Sequence, residues 1–219
     1  MILFAGYIVT PIMYNKFLLQ GGTVLLREPT PTTNIQSLGN YQSLNNSGNI
    51  EYNYAISFWF FLNSFPPNSN SNYNTYSTIM SYADKPTISY NASLNTLRVT
   101  LKQLDLKNKT KNKLIDFTEK GERIIYTKKD MPLQKWNNII INFDGGTLDI
   151  FLNGELVSSN IEVTPYYTLD NLTVGQENGY LASVCNLIYF EKTLTKNNIY
   201  YVYDKFKNEN PPIIKKNYF

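Results

Sequence analysis

Alternation of apolar and polar positions dominates the middle of the chain. Ile139, Ile141 and Phe143 share one face at a period of two, and Leu148, Ile150 and Leu152 repeat the pattern after Asp144-Gly145-Gly146-Thr147. That spacing belongs to paired, half-buried strands. Asp144-Gly145-Gly146 and the later Asn153-Gly154 supply the positive φ angles of tight hairpins. Glu155 to Ser158 reads as a third strand. The stretch beginning at Gln134-Lys135-Trp136 is therefore an antiparallel meander whose turns set its register.

The same reading places strands on either side. Thr23 to Arg27 opens the series, and Tyr54 to Leu62 is apolar on both faces, as in a strand covered from two sides. Ser77 to Tyr82, Thr87 to Tyr90, Leu97 to Leu101, Arg123 to Tyr126, Leu169 to Val174 and Ala182 to Phe190 follow. Near the end Thr195 can cap a short helix that carries Ile199, Val202, Tyr203 and Phe206 on one face, with Pro211-Pro212 beyond it. Pro29 to Asn34, Asn45 to Gly48 and Pro66 to Asn74 read as loops, and Lys107 to Lys113 as a solvated hairpin tip. Short strands between turn signals, closed by one helix, predict an all-β fold: a two-sheet antiparallel β-sandwich with one short C-terminal helix.

Three regions are expected. Residues 1–21 form an apolar extension, 22–206 the sandwich and 207–219 a tail with Lys215 and Lys216. The uncharged run from Met1 to Tyr14 falls short of the roughly 20 residues that span a bilayer, and it has no positive leader of a secretory signal. It reads as an anchor or interface segment, with Ile2, Leu3, Phe4, Tyr7, Ile8 and Val9 as candidate membrane or subunit contacts.

Composition narrows the chemistry. The 219 residues are 42% hydrophobic, 15% aromatic and 17% charged, enough for one sizeable core. A net charge of +3 with scattered lysines does not call for nucleic acid. The single cysteine, Cys185, excludes an internal disulfide, and the abundance of Asn and of Lys over Arg reads as the bias of an AT-rich genome. With no histidine, His-based nucleophilic triads, His-ligated metals and imidazole bases are all excluded. Any catalysis would run on carboxylates.

With the strands laid out, the chain resembles the concanavalin A-like, laminin-G-like jelly-roll domains. Ile56-Ser57-Phe58-Trp59-Phe60 is similar to the family's early strand, and Trp136 through Gly154 to its pattern of Trp, strand, turn, strand and Asn-Gly. Leu172-Thr173-Val174-Gly175, Ala182 to Phe190 and Leu194 to Tyr203 are similar to its closing strands and helix. More narrowly, the apolar head, Val24-Leu25-Leu26, Pro86 to Val99 and Pro132 to Trp136 look like the version found in proteins of large nucleocytoplasmic DNA viruses. That resemblance implies a virion-associated structural or attachment role, assembled in the host cytoplasm.

The family includes glucanases, whose carboxylates lie close together on one strand as Glu-x-Asp-x-x-Glu; no such run exists here. Asp144 and Asp149 flank a turn, and Asp116, Glu119 and Glu122 fall in a hairpin, so all read as turn or surface groups. Isolated Asp84, Asp105, Asp144 and Asp170 do not assemble the six to eight oxygens of a calcium site. No cofactor is expected. Metal-free glycan or partner contact would use aromatic platforms and amides, for which Tyr73, Tyr76, Tyr82, Tyr90, Tyr166 and Tyr167 are the candidates. Asn45, Asn91, Asn108 and Asn171 sit in glycosylation sequons, a chance result of so much Asn. The expectation is a non-catalytic structural or interaction protein, a minor capsid or membrane-associated virion component whose partners are other structural proteins. The alternative is a glycan-binding attachment module.

Overall fold

A computed structural model describes residues 21–45, 53–64, 72–103, 116–164 and 171–207. Thirteen strands and two helices appear in these segments. In chain order they are β1 (Thr23–Leu26), β2 (Thr30–Pro31), β3 (Gln36–Asn40), α1 (Tyr41–Leu44), β4 (Tyr54–Leu62), β5 (Tyr76–Tyr82), β6 (Thr87–Asn91) and β7 (Thr96–Leu101). They continue with β8 (Arg123–Lys129), β9 (Trp136–Asp144), β10 (Thr147–Leu152), β11 (Glu155–Asn160), β12 (Asn171–Val174), β13 (Ala182–Phe190) and α2 (Lys196–Lys207).

The strands form two antiparallel sheets. One, of seven strands, runs β1-β13-β4-β9-β10-β11, with β2 also paired to β13; the other, of six, runs β3-β12-β5-β6-β7-β8. The meander is the first sheet's own hairpin series: Phe143 faces Leu148, Ile141 faces Ile150 and Ile139 faces Leu152 across β9 and β10. Gly145 and Gly146 take φ values of 51° and 101° in the turn, where a side chain would be strained.

The core fills the space between the sheets. Ile56, Phe58, Phe60 and Leu62 of β4 and Ile139, Ile141 and Phe143 of β9 pack against Ile88, Leu97, Val99 and Leu172 of the facing sheet. At one end Tyr54 lies edge-on to Tyr82, 5.4 Å between ring centroids, and stacks on Phe143 at 5.6 Å. Its hydroxyl donates to the backbone carbonyl of Lys85, which supplies the polar partner a buried tyrosine needs.

A second apolar cluster explains why β4 is hydrophobic on both faces. Ala55, Ile140, Phe151, Ile188 and Phe190 point away from the core and are covered by Leu194 and by Ile199 and Val202 of α2. Thr195 precedes this helix, as its sequence position suggests: Asn198 N–H donates to its Oγ1 at 3.4 Å and Ile199 N–H to its carbonyl at 3.0 Å. Asn142 fastens the approach to the helix by accepting Leu194 N–H at 2.8 Å and donating to its carbonyl at 3.2 Å. Tyr203 stacks on Trp59 at 5.6 Å and 10°. Tyr203→Ala is expected to cost about 1–2 kcal/mol and to shift tryptophan emission to the red; an unmoved spectrum would show that Trp59 stays covered without it.

The structure departs from the sequence reading, or adds to it, at four points. Pro29 to Asn34 is not wholly loop, because Thr30 and Pro31 pair with Val184 and Ser183. Gln36–Asn40 and Tyr41–Leu44 form an edge strand and a one-turn helix, the latter held by Ser43 N–H on Asn40 Oδ1 at 2.8 Å and Asn40 N–H on Ser43 Oγ at 2.9 Å. Asp149 is not simply a surface group: one carboxylate oxygen is buried and without a hydrogen-bond partner. Asn45 and Asn91 are buried and engaged in hydrogen bonds, which leaves those two sequons without access for a glycan. The Lys107 to Lys113 tip and the Asn108 sequon lie outside the described residues.

Candidate functional site

Among the described residues, α2 covers the outer face of the seven-stranded sheet, while no helix covers the polar outer face of the six-stranded sheet. Alternation in β5 to β8 turns Ile88, Leu97, Val99 and Leu101 inward and sends the intervening residues outward. Registration then aligns the outward residues in rows across the strands. Thr173 faces Ser81, Ser81 faces Thr87, and Thr87 faces Thr100. A second row runs Thr78, Ser89, Arg98 and Thr127.

Over these rows lies a groove of about 850 Å³. Its floor is Thr78, Thr87, Ser89 and Thr100, and Tyr76, Asn91, Arg98 and Gln176 also line it. The remaining lining comes from the hairpin just before β8, where Phe117 pairs with Arg123 and Thr118 N–H donates to the Glu122 carbonyl at 2.8 Å. This hairpin contributes Phe117, Thr118, Glu119, Lys120 and Glu122. Phe117 is 47% exposed, an aromatic face left to solvent at the groove.

Several groove groups are fixed and others are free. Gln176 accepts Thr78 N–H through Oε1 at 3.0 Å, which leaves its amide NH2 as a donor. Ser81 and Thr87 share a hydroxyl bond at 2.9 Å, and Thr87 also donates to Asp84 Oδ1 at 3.2 Å. Asn91 is spent on its own loop, accepting from Ser93 Oγ at 2.8 Å and Leu94 N–H at 3.1 Å. Among the described residues, the side chains of Ser89 and Thr100 on the floor make no hydrogen bond.

The two arginines nearby differ in kind. Arg123 is buried, but Nη1 donates to the Glu162 carbonyl at 3.2 Å and Gln103 Oε1 at 3.4 Å. Burial lowers its pKa and Glu162 opposes that shift. Arg98 instead lays its guanidinium over the Tyr76 ring, 3.7 Å from the centroid, with Nε buried and unbonded. No carboxylate among the described residues pairs with it.

Of the predicted contact residues that are described, Tyr76 alone lines the groove. Tyr73 is half-buried in the loop before β5. Tyr82 and Tyr90 are corrected: each is 1% exposed and belongs to the core, where inward alternation puts it. Tyr90 packs on Tyr180 at 5.2 Å and donates to Asn95 Oδ1 at 2.8 Å, and burial pushes the Tyr180 hydroxyl up to about 12. Tyr166 and Tyr167, and Ile2, Leu3, Phe4, Tyr7, Ile8 and Val9, lie outside the described residues. Arg98, Thr78, Ser89, Thr100 and Gln176 were not foreseen. The signal for Arg98 is present in Leu97-Arg98-Val99-Thr100-Leu101, where it breaks the otherwise uncharged outward set.

Among the described residues, no three His, Cys, Asp or Glu side chains gather as metal ligands, and no helix is long and apolar enough to cross a membrane. Cys185 is buried, and desolvation pushes its thiol up to about 12.

Sheet order, core and groove define a lectin-like jelly roll, and the chain belongs to the concanavalin A-like lectin/glucanases superfamily, whose sequence model matches residues 36–199. The botulinum neurotoxin serotype D binding domain has a similar structure at 16% identity and a TM-score of 0.52, covering 78% of this chain and 40% of that one. The serotype D ligand binding domain in complex with N-acetylneuraminic acid matches at 17% identity and 0.53, covering 84% and 45%. The binding domain of botulinum neurotoxin DC in complex with rat synaptotagmin II matches at 17% and 0.53, covering 86% and 52%. The chain thus spans about half or less of each of these structures, and at such identities the likeness is one of fold. No curated protein matches the sequence.

Proposed function

We propose that the chain is a non-catalytic recognition module that binds a glycan in the groove over the six-stranded sheet. The observation that carries this is the combination, along one groove, of a hydroxyl-lined floor, a free Gln176 amide and an arginine laid on Tyr76. Sugars present ring hydroxyls to such donors and acceptors and apolar ring faces to aromatic surfaces, here Phe117 and Tyr76. That domains of the same fold are found with N-acetylneuraminic acid and with rat synaptotagmin II supports a binding role for this one.

A glycan array with the purified chain tests the reading, followed by titration of the best ligand. Tyr76→Ala is expected to weaken binding about tenfold, equivalent to ~1.4 kcal/mol, with the fold intact by circular dichroism. An array without any ligand would refute it.

The acids of the groove define the competing, hydrolytic reading. Asp84, Glu119 and Glu122 all line the groove, and glycoside hydrolysis needs two carboxyls about 5–9.5 Å apart. Release of reducing sugar from a bound oligosaccharide, lost in Glu119→Gln or Glu122→Gln, would establish that reading over the first.

A place in a virus particle, with the apolar head against other structural proteins or an internal membrane, is a further part of the proposal. It is supported by the sequence resemblance, and detection of the chain in purified particles tests it.

A further inference from the structure

The groove over the six-stranded sheet contains an ionic asymmetry that a neutral sugar would leave unused. Arg98 sits mid-sheet on β7, with Ser89 on one side and Thr127 on the other, so its nearest cross-strand neighbours carry no charge. Its Nε is buried without a partner, a condition that costs free energy unless something else repays it. Contact with the Tyr76 ring at 3.7 Å restrains the guanidinium, which reduces the rotamer entropy that an arginine otherwise loses on binding. A planar, pre-positioned guanidinium is suited to a carboxylate, which it can meet with two parallel N–H···O bonds.

The rest of the lining limits how much negative charge can follow. Asp84, Glu119 and Glu122 share the groove with Arg98 and Lys120, three acids against two bases. Glu119 and Lys120 are exposed, so their fields are screened by salt, but Glu122 is half-buried and Asp84 is held in place by the Thr87 hydroxyl. A densely sulfated chain would bring several anions against these carboxylates, whereas a single carboxylate can sit at Arg98 alone. Specificity of this kind arises as much from what is repelled as from what is held.

Resting on the glycan-binding reading above, we propose that the groove selects a saccharide bearing one carboxylate, a sialic or uronic acid residue beside neutral sugars, with the carboxylate seated on Arg98 and the neutral sugar over the Ser89 and Thr100 hydroxyls. Arg98 orients the acid, and Tyr76 orients Arg98.

The test uses the full chain on matched oligosaccharides: sialyl- and glucuronyl-capped forms, their neutral parents, and heparin fragments. At least one acid-capped form is expected to bind about tenfold or more tighter than its neutral parent. Arg98→Gln is expected to erase that difference between acid-capped and neutral ligands, and Arg98→Lys to restore part of it. Arg27→Gln, an exposed arginine away from the groove, serves as the charge control and is expected to bind like the unsubstituted chain. Glu122→Gln is expected to relax the exclusion of heparin fragments. Neutral parents that bind as tightly as the acid-capped forms would overturn the inference and leave glycan binding standing. Heparin fragments that bind tightest to the unsubstituted chain would overturn the limit to one carboxylate. Absence of any saccharide binding would remove the underlying reading itself. If Arg98→Gln fails to fold, the comparison of acid-capped with neutral ligands on the unsubstituted chain still decides.

Discussion

Gly175→Ala is expected to destabilise the protein by about 2–4 kcal/mol, through backbone strain and overpacking together. Gly175 has φ of +83°, and an added Cβ would lie 2.2 Å from the Asn34 carbonyl oxygen and 2.9 Å from that of Thr32. These are main-chain atoms that no rotamer change can move aside. Nor is the chain free to retreat: Gly175 N–H donates to the Ile79 carbonyl at 2.9 Å and Gln176 N–H to the Thr32 carbonyl at 3.1 Å. The next residue is Gln176, which lines the groove, so the substitution should weaken ligand binding as well as stability. Urea denaturation measures the first effect and glycan titration the second. Gly121→Ala is the comparison, since φ there is +80° but nothing lies within 4 Å of the new Cβ. It should cost only the left-handed backbone term, about 1 kcal/mol. Equal costs at both positions would show that the close approach at Gly175 imposes no constraint.

Phe58→Ala should have the largest effect of any single substitution considered, about 3–5 kcal/mol. Phe58 is fully buried and sits mid-strand in β4, between β13 and β9, with Ile139 opposite and Phe60 at 6.0 Å on the same face. Both sheets surround the side chain, so a void there cannot be closed by a loop moving in. Against a total stability of about 5–15 kcal/mol the variant would be marginal at best. Phe58→Leu keeps most of the volume and should cost under about 2 kcal/mol. Chemical denaturation followed by Trp59 fluorescence reads both, because Trp59 neighbours the site and faces the opposite side. A cost for Phe58→Ala near that of Phe58→Leu would show the site can collapse.

Much of the scaffold was legible because each central strand carries its own instructions. Ile139, Ile141 and Phe143 repeat at a period of two, Asp144-Gly145-Gly146 turns the chain, and the observed pairing follows that register. The doubly apolar β4 announced a strand covered on both sides, and α2 with Leu194, Ile199 and Val202 is the second cover. β3 was not legible. Gln36-Ser37-Leu38-Gly39-Asn40 has neither alternation nor turn-bounded apolar content, and becomes a strand only because β12 offers it an open edge. The tyrosines failed for a related reason: composition supplies them, but facing decides their role. Tyr76 and Tyr82 lie on the same strand, yet the irregularity between Thr78 and Met80 shifts the alternation, and one ends in the groove and the other in the core.

By itself the sequence determined the all-β class, the meander, the helix cap at Thr195 and the exclusion of imidazole chemistry, since all of these depend on residue types and spacings within a few positions. Which sheet face the described helix covers was decided only in three dimensions. The C-terminal helix returns to cover one sheet, and cross-strand register gathers Thr78, Ser89, Arg98 and Thr100 from three separate strands onto the other. Tyr76 and Arg98 are 22 positions apart in the chain and 3.7 Å apart in space. No periodicity relates them, because a sheet brings side chains together across strands, at distances along the chain set by turns and bulges.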